Sequence, residues 1–290
     1  MVSEPTRTDL LIVGGSSDPN TFRIVEQAQR RRVDFIFWDT DLPEAKQIAW
    51  DFSSPAIDLG DHQFIPRSVY LRCNVFGGNP SSNHAIFQTI QGYVLAWPKI
   101  KILNRSRLTD ANSKSGNLRL AIDMGFPVPQ SLVMSDLSPI TTMPIEPPRI
   151  LKPLDGGAHT VDAINVREDQ SWLAEAPPQF IQERLDGENV RIFSIGRQLF
   201  GFHLESNALD YREDDSTEVT AIPVPDEFTE LIHRYVASLR FDYCALDFRG
   251  RDGLNELVFL EINSFPMFVR FDDAAEHSLA DATISVLVGR

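Results

Sequence analysis

The sequence predicts an α/β protein that opens on a parallel sheet and ends in a largely β-stranded half. Three observations carry this. The first forty residues read as strand, helix, strand. From about residue 178 onward the pattern is strands interrupted by one amphipathic helix. At 290 residues the chain is long enough for about two domains, each with its own core.

Taken in order, DLLIVGG (9–15) is an apolar run ending in two glycines, followed by a helix over about 20–31 and a second buried strand, VDFIFWD, over 33–39. Strand–helix–strand is the repeating unit of a parallel sheet. Short β-like pieces fill 50–79, among them SVYLRCNVFGG. SSNHAIFQTIQGYVLAW (81–97) begins with serines and spaces its apolar residues as a helix does, and IKILN (100–104) is another short strand. Next, DANSKSGNLRLAIDMGFPVPQS opens on capping residues, runs as a helix to Met124 and stops at Gly125, with Pro127 beyond. A loop rich in Pro and Thr spans Leu137 to Pro148, and RILKPLDGG is a strand running into a glycine turn. FIQERLDG, NVRIFSI and QLFGFHLES are three strands, the last two joined by a tight turn at Gly196 and Arg197. DEFTELIHRYVASLRF is an amphipathic helix with Phe228, Leu231, Ile232, Tyr235 and Leu239 on one side. YCALDFRG and LVFLEIN form a hairpin, and 272–287 is expected as one closing helix. The expected division is 1–102, 103–180 and 181–290.

Composition excludes several classes. A formal net charge of −14 leaves no large basic surface for nucleic acid or an anionic membrane, although a small polyanion needs only a few local cations. The two cysteines, Cys73 and Cys244, lie inside apolar runs and read as buried, reduced thiols rather than a disulfide or a catalytic thiol. The start has no signal pattern and no apolar run could span a bilayer, which predicts a cytoplasmic protein. The six histidines show no metal-ligand spacing, and GxSxG, CxxC, GxxxxGK[ST] and GxGxxG are all missing.

Three sets of residues stand out chemically. Glu261 and Asn263 lie two apart at the end of an apolar strand, so period-two geometry puts both on one face. Such groups are costly to bury unless something satisfies them. If the hairpin register brings Asp247 beside Glu261, three oxygen donors gather, which suits a hard divalent cation; otherwise these are solvated acids on a surface hairpin. Lys114, near a helix start, and Lys152, before a glycine turn, could hold phosphate, or could simply be exposed. Arg191 within a strand and Arg212 before an acidic run could grip phosphate or carboxylate, with a surface pair to Asp214 or Asp215 as the alternative for Arg212.

In order, Lys114 on DANSKSGNLRLAIDMGFPVPQS, Lys152 on ILKPLDGG, FIQERLDGENVRIF, SNALDYR, LDF and FLEIN resemble the motif series of the ATP-grasp superfamily of carboxylate ligases. The match runs from about Asn104 to the C-terminus. It implies an α/β domain preceding the grasp, a small central lobe and a β-rich C-terminal lobe. It also implies ATP and Mg2+ as cofactors, with two ions and Mn2+ as an alternative. Lys114 and Lys152 would hold the phosphates. Gln182, Glu183, Arg184 and Leu185 would form the hinge along which adenine lies. Asp247, Glu261 and Asn263 would hold the metal, with Arg191 and Arg212 facing the transferred phosphoryl group or the activated carboxylate.

The chain departs from the pattern at Asn189, where relatives often carry an acid and Glu188 could substitute, and at NSFPMF, which replaces a commoner Asn-Pro-x-Gly ending. The implied reaction converts a carboxylate to an acyl phosphate and joins it to an amine or hydroxyl. QERLDGENVRIFSIG followed by DYR is most similar to ligases of the microviridin type, which modify ribosomal peptides, and to ribosomal-protein glutamate ligases. A peptide or amino-acid substrate is therefore expected, with no nucleic acid or membrane partner and with a homodimer allowed. A ligase for free amino acids or small peptides, and a nucleotide-binding scaffold without turnover, are the competing readings.

Overall fold

A computed structural model describes residues 4–77, 79–109, 112–144, 146–154, 160–168, 177–206, 216–251, 253–254 and 256–289. Its elements are β1 (Thr6–Gly14), α1 (Pro19–Arg30), β2 (Phe35–Asp39), β3 (Ile48–Trp50), β4 (Ile57–Leu59), β5 (His62–Leu71), α2 (Pro80–Ala96) and β6 (Lys101–Ile102). Then come α3 (Lys114–Met124), β7 (Ser131–Met134), β8 (Arg149–Pro153), β9 (Val161–Asp162), α4 (Ala163–Glu168) and β10 (Gln179–Glu183). The chain closes with β11 (Asn189–Ile195), β12 (Gln198–Glu205), β13 (Glu218–Ile222), α5 (Asp226–Ser238), β14 (Tyr243–Gly250), β15 (Leu257–Asn263), α6 (Val269–Ala274) and α7 (Ser278–Val288).

The strands make three sheets. The first has the order β2-β1-β5-β4-β3 with β6 also on β5, and β1 runs parallel to both β2 and β5. The second, β7-β10-β8-β9, and the third, β13-β12-β11-β14-β15, are antiparallel. Local signals set the helix ends. Asp18 accepts from the Asn20 N–H with Pro19 at the first position of α1, and Ser113 caps α3 by accepting from the Gly116 N–H. Gly125, at φ 97°, ends α3 in the left-handed region that glycine reaches without strain.

One face of the first sheet packs Leu11, Val13 and Val69 against Ile86, Ile90 and Tyr93 of α2. Its other face, with Ile24 and Ala28 of α1, shares a core with α7 and with Phe193, Phe202 and Tyr243 of the third sheet. The opposite face of the third sheet buries Ile192, Leu246 and Phe259 under α3 and α5. Asn104, fully buried just past β6, ties the first unit to the third sheet: its amide meets the backbone of Asp242, Tyr243 and Ser264.

Two expectations change. The closing helix is two helices, broken at Glu276 and His277, both at positive φ. Asp272 imposes the break: its backbone carbonyl accepts from the His277 N–H and its carboxylate from the Ala280 N–H of α7. Cys244 is buried, and burial raises its thiol pKa, but Cys73 is only partly buried. Both are free thiols. Among the described residues no helix is long and apolar enough to cross a membrane.

Candidate active site

The hairpin of β14 and β15 places Asp247 directly opposite Glu261 and Ala245 opposite Asn263. On the other side of β14, Asp247 faces Arg191 of β11. Arg191, Asp247 and Glu261 therefore form one row across three strands. A bulge follows immediately: Phe248 pairs with Phe259, so Leu260 is the extra residue on β15. That extra residue reverses the alternation. Phe259 points into the fully apolar core while Glu261, two residues on, points into a cavity. Bulges of this kind re-aim a side chain beside a functional site.

The side chains converge closely. Asn263 Nδ2 donates to Asp247 Oδ2 at 2.9 Å and to Glu261 Oε1 at 3.4 Å. Lys114 Nζ, on the first turn of α3, lies 3.4 Å from Glu261 Oε2. Arg191 Nε lies 3.5 Å from Asp247 Oδ1, and its guanidinium carbon sits 5.5 Å from the centre of the Phe193 ring and 5.3 Å from that of Phe271. Burial pushes the Glu261 carboxyl up, but the charges of Lys114 and Lys152 and the hydrogen bonds from Asn263 and Lys114 hold it below its ordinary value. Glu261 is therefore ionised at neutral pH, paired with Lys114 and within the field of Lys152.

These groups line one wall of a cavity of about 550 Å³, in the range that holds a small ligand. The second sheet supplies the facing wall, with Ile150 and Lys152 of β8, Gln182 and Glu183 of β10, and Leu185. Phe265, Pro266 and Met267, just past β15, continue the lining. Among the described lining residues, Lys114, Lys152, Arg191, Arg249 and Arg270 outnumber Glu183, Asp247 and Glu261. A chain of charge −14 thus encloses a locally cationic cavity, which attracts a small polyanion.

The hinge residues divide their groups between the cavity and the protein. The Gln182 amide donates to Ser131 Oγ at 2.9 Å, and the Glu183 carboxylate accepts from the Gln130 N–H and from Arg251. The Glu183 and Arg184 N–H groups donate to the carbonyls of Gln130 and Pro148. The Arg184 side chain turns away to Asp162 and Asp186, at 2.6 and 2.7 Å. Glu188 pairs with His203 at 2.8 Å, and Asn189 stands in the cavity wall. Arg212 and the glycine turn after Lys152 fall outside the described residues.

Sequence reading missed Arg249 and Arg270. Arg249 lies two residues past Asp247, opposite Asn189, and its Nε donates to the Gly187 carbonyl at 3.1 Å. Period-two spacing from Asp247 was the available signal. Arg270, which donates to the Thr217 carbonyl, had none, because it follows a loop whose path only the fold sets.

The donor set fits a hard divalent cation. Two carboxylates and a carboxamide meet within hydrogen-bonding distance, and rotation of the Asn263 amide would present its oxygen in place of its NH2. Among the described residues no cluster of three or more His, Cys, Asp or Glu competes with it.

No protein-family model matches the sequence, and no curated protein is similar to it in sequence. Solved structures are similar over the whole chain. The ATP-grasp ligase PsnB complexed with a minimal precursor is 24% identical with a TM-score of 0.75, covering 96% of this chain and 98% of PsnB. The macrocyclase MdnC from Microcystis aeruginosa MRC, bound with precursor peptide MdnA, is 19% identical with a TM-score of 0.73, covering 97% and 100%. A RiPP-associated ATP-grasp ligase from Chryseobacterium gregarium, in complex with ADP and a leader and core peptide, is 17% identical with a TM-score of 0.77, covering 98% and 97%. Carried over almost its full length by these structures, the chain has the ATP-grasp fold.

Proposed function

We propose that this chain is an ATP-dependent ligase that activates a carboxylate as an acyl phosphate and joins it to an amine or hydroxyl on a peptide. The observation that carries the reading is the row Arg191–Asp247–Glu261, with Asn263 and Lys114 in contact with it, facing Lys152 across one cavity. Asp247, Glu261 and Asn263 would hold Mg2+, which supplies positive charge beside the phosphates of bound ATP. Lys114 and Lys152 balance further phosphate charge. Leu185, in the cavity wall, would present its backbone to the adenine. Arg191, its guanidinium resting over the adjoining Phe193 and Phe271 rings, presents a fixed cation to the reacting carboxylate or the phosphoryl oxygens.

In the first step a carboxylate oxygen attacks the γ-phosphorus and ADP leaves. In the second the amine or hydroxyl attacks the acyl carbon, phosphate leaves with the bonding pair, and the nucleophile loses a proton. Positioning and charge stabilisation are the protein's part in both. A peptide substrate is supported by the precursor and core peptides bound to PsnB, MdnC and the Chryseobacterium gregarium ligase. The three sheets support a division into three units, with the central one extending to Glu183, since β10 crosses residue 180 within the second sheet.

Mg2+-dependent ADP release tests the reading, with pooled acidic peptides in one reaction and pooled amino acids in another. Release with peptides alone is expected. Release with free amino acids alone would replace the peptide by a small-molecule substrate, and no nucleotide binding at all would end the proposal.

A further inference from the structure

β15 is an edge strand of the third sheet, and the segment around α3 covers its open side at both ends. At one end the Phe259 N–H donates to the Pro127 carbonyl at 2.8 Å. At the other, Asn112 Nδ2 donates to the carbonyl of Ile262 at 2.9 Å. Ile262 is the residue between Glu261 and Asn263. Asn112 cannot swivel freely, because Asn117 Nδ2 donates to its Oδ1 at 2.6 Å, which leaves the NH2 group aimed at Ile262. Asn117 is held in turn: it lies buried in α3, and its carbonyl accepts from the hydroxyl of buried Tyr235 at 2.8 Å. Two residues after Asn112, Lys114 begins α3 and reaches Glu261.

We propose that Asn112 is a positioning residue for the metal–nucleotide site: it pins the strand end that carries Glu261 and Asn263, and sets it against Lys114. This rests on the nucleotide reading above. Groups that orient ligands from behind govern metal affinity without touching the metal. Asn112 does so through a backbone carbonyl, because an edge strand has no neighbour to hold that carbonyl in place.

The test is calorimetric titration of the full chain with ADP in the presence of Mn2+, for wild type, Asn112→Ala, Glu261→Gln and the double variant. Asn112→Ala is expected to weaken Mn2+–ADP binding about tenfold. Its melting temperature should fall by no more than about 6 °C, as for the two hydrogen bonds its side chain makes. In the Glu261→Gln background the same substitution should weaken binding by a smaller factor than in wild type, because one of the two ligands on that strand end is gone. Unchanged affinity in Asn112→Ala, or an equal loss with and without Glu261, would overturn the proposal. Wild-type protein that binds no Mn2+–ADP would overturn the nucleotide reading itself.

Discussion

Replacing Asn104 by alanine should remove a large share of the protein's stability. The residue is fully buried at φ 54°, in the left-handed region, and its side chain makes four hydrogen bonds. Its Oδ1 accepts from the Asp242 and Tyr243 N–H groups, both at 3.0 Å, and its Nδ2 donates to the Tyr243 and Ser264 carbonyls at 2.7 and 2.8 Å. Alanine leaves all four backbone groups without that partner. At about 1 kcal/mol net per bond the loss is about 4 kcal/mol. Holding an alanine in the left-handed region adds roughly 1 kcal/mol, which asparagine and glycine largely escape. Against a typical total of about 5–15 kcal/mol, that is enough to lower the melting temperature by about 10–20 °C. Urea unfolding together with thermal melting checks this, with Asn104→Gly as the control. Glycine tolerates the dihedral and should be less damaging than alanine by about 1 kcal/mol. The reasoning is refuted if alanine costs less than about 1 kcal/mol, or if glycine proves no better than alanine.

Other outcomes follow from the same geometry. Glu261→Gln should abolish ADP release while leaving circular dichroism unchanged, and wild-type turnover would remove Glu261 from the chemistry. Because its folded pKa lies below the ordinary 4.5, ionised Glu261 stabilises the protein above that pH and the contribution is lost as pH falls through the folded value. The gap in melting temperature between wild type and Glu261→Gln should accordingly shrink as pH is lowered from 7 to 4. Lys152→Ala should raise the Kd for Mg2+–ADP, and an unchanged Kd would mean the lysine only faces solvent. Arg72, which pairs with fully buried Asp18 at 2.6 Å and reaches the carbonyls of Phe265 and Pro266, should cost about 3–5 kcal/mol as Arg72→Met, since the Asp18 charge is stranded. Recovery in Arg72→Met/Asp18→Asn, read by urea unfolding, would confirm that origin; no recovery would place the cost in the lost loop contacts.

What the sequence determined by itself was local. Apolar runs marked the strands, Ser113 and Gly125 bounded α3, and Gly196 with Arg197 marked the β11–β12 turn, because caps and turns are decided by neighbours within a few residues. The same period-two rule placed Glu261 and Asn263 on one face, and the resemblance added the residues that could serve with them. Strict alternation, however, would have put Phe259 on that face too. The bulge at Leu260 sends it to the core, and a bulge depends on how two strands pair, which neither strand encodes alone. The register that sets Asp247 against Glu261, left open by the hairpin sequence, was likewise decided by packing on both faces of the sheet. The helix break at Glu276 and His277 carries no glycine or proline; it exists because Asp272 is buried where its carboxylate meets the start of α7. Glu188 was drawn to His203, its neighbour across the sheet rather than along the chain. In each case the deciding partner is distant in sequence, and a contact between distant segments forms only once the chain has folded.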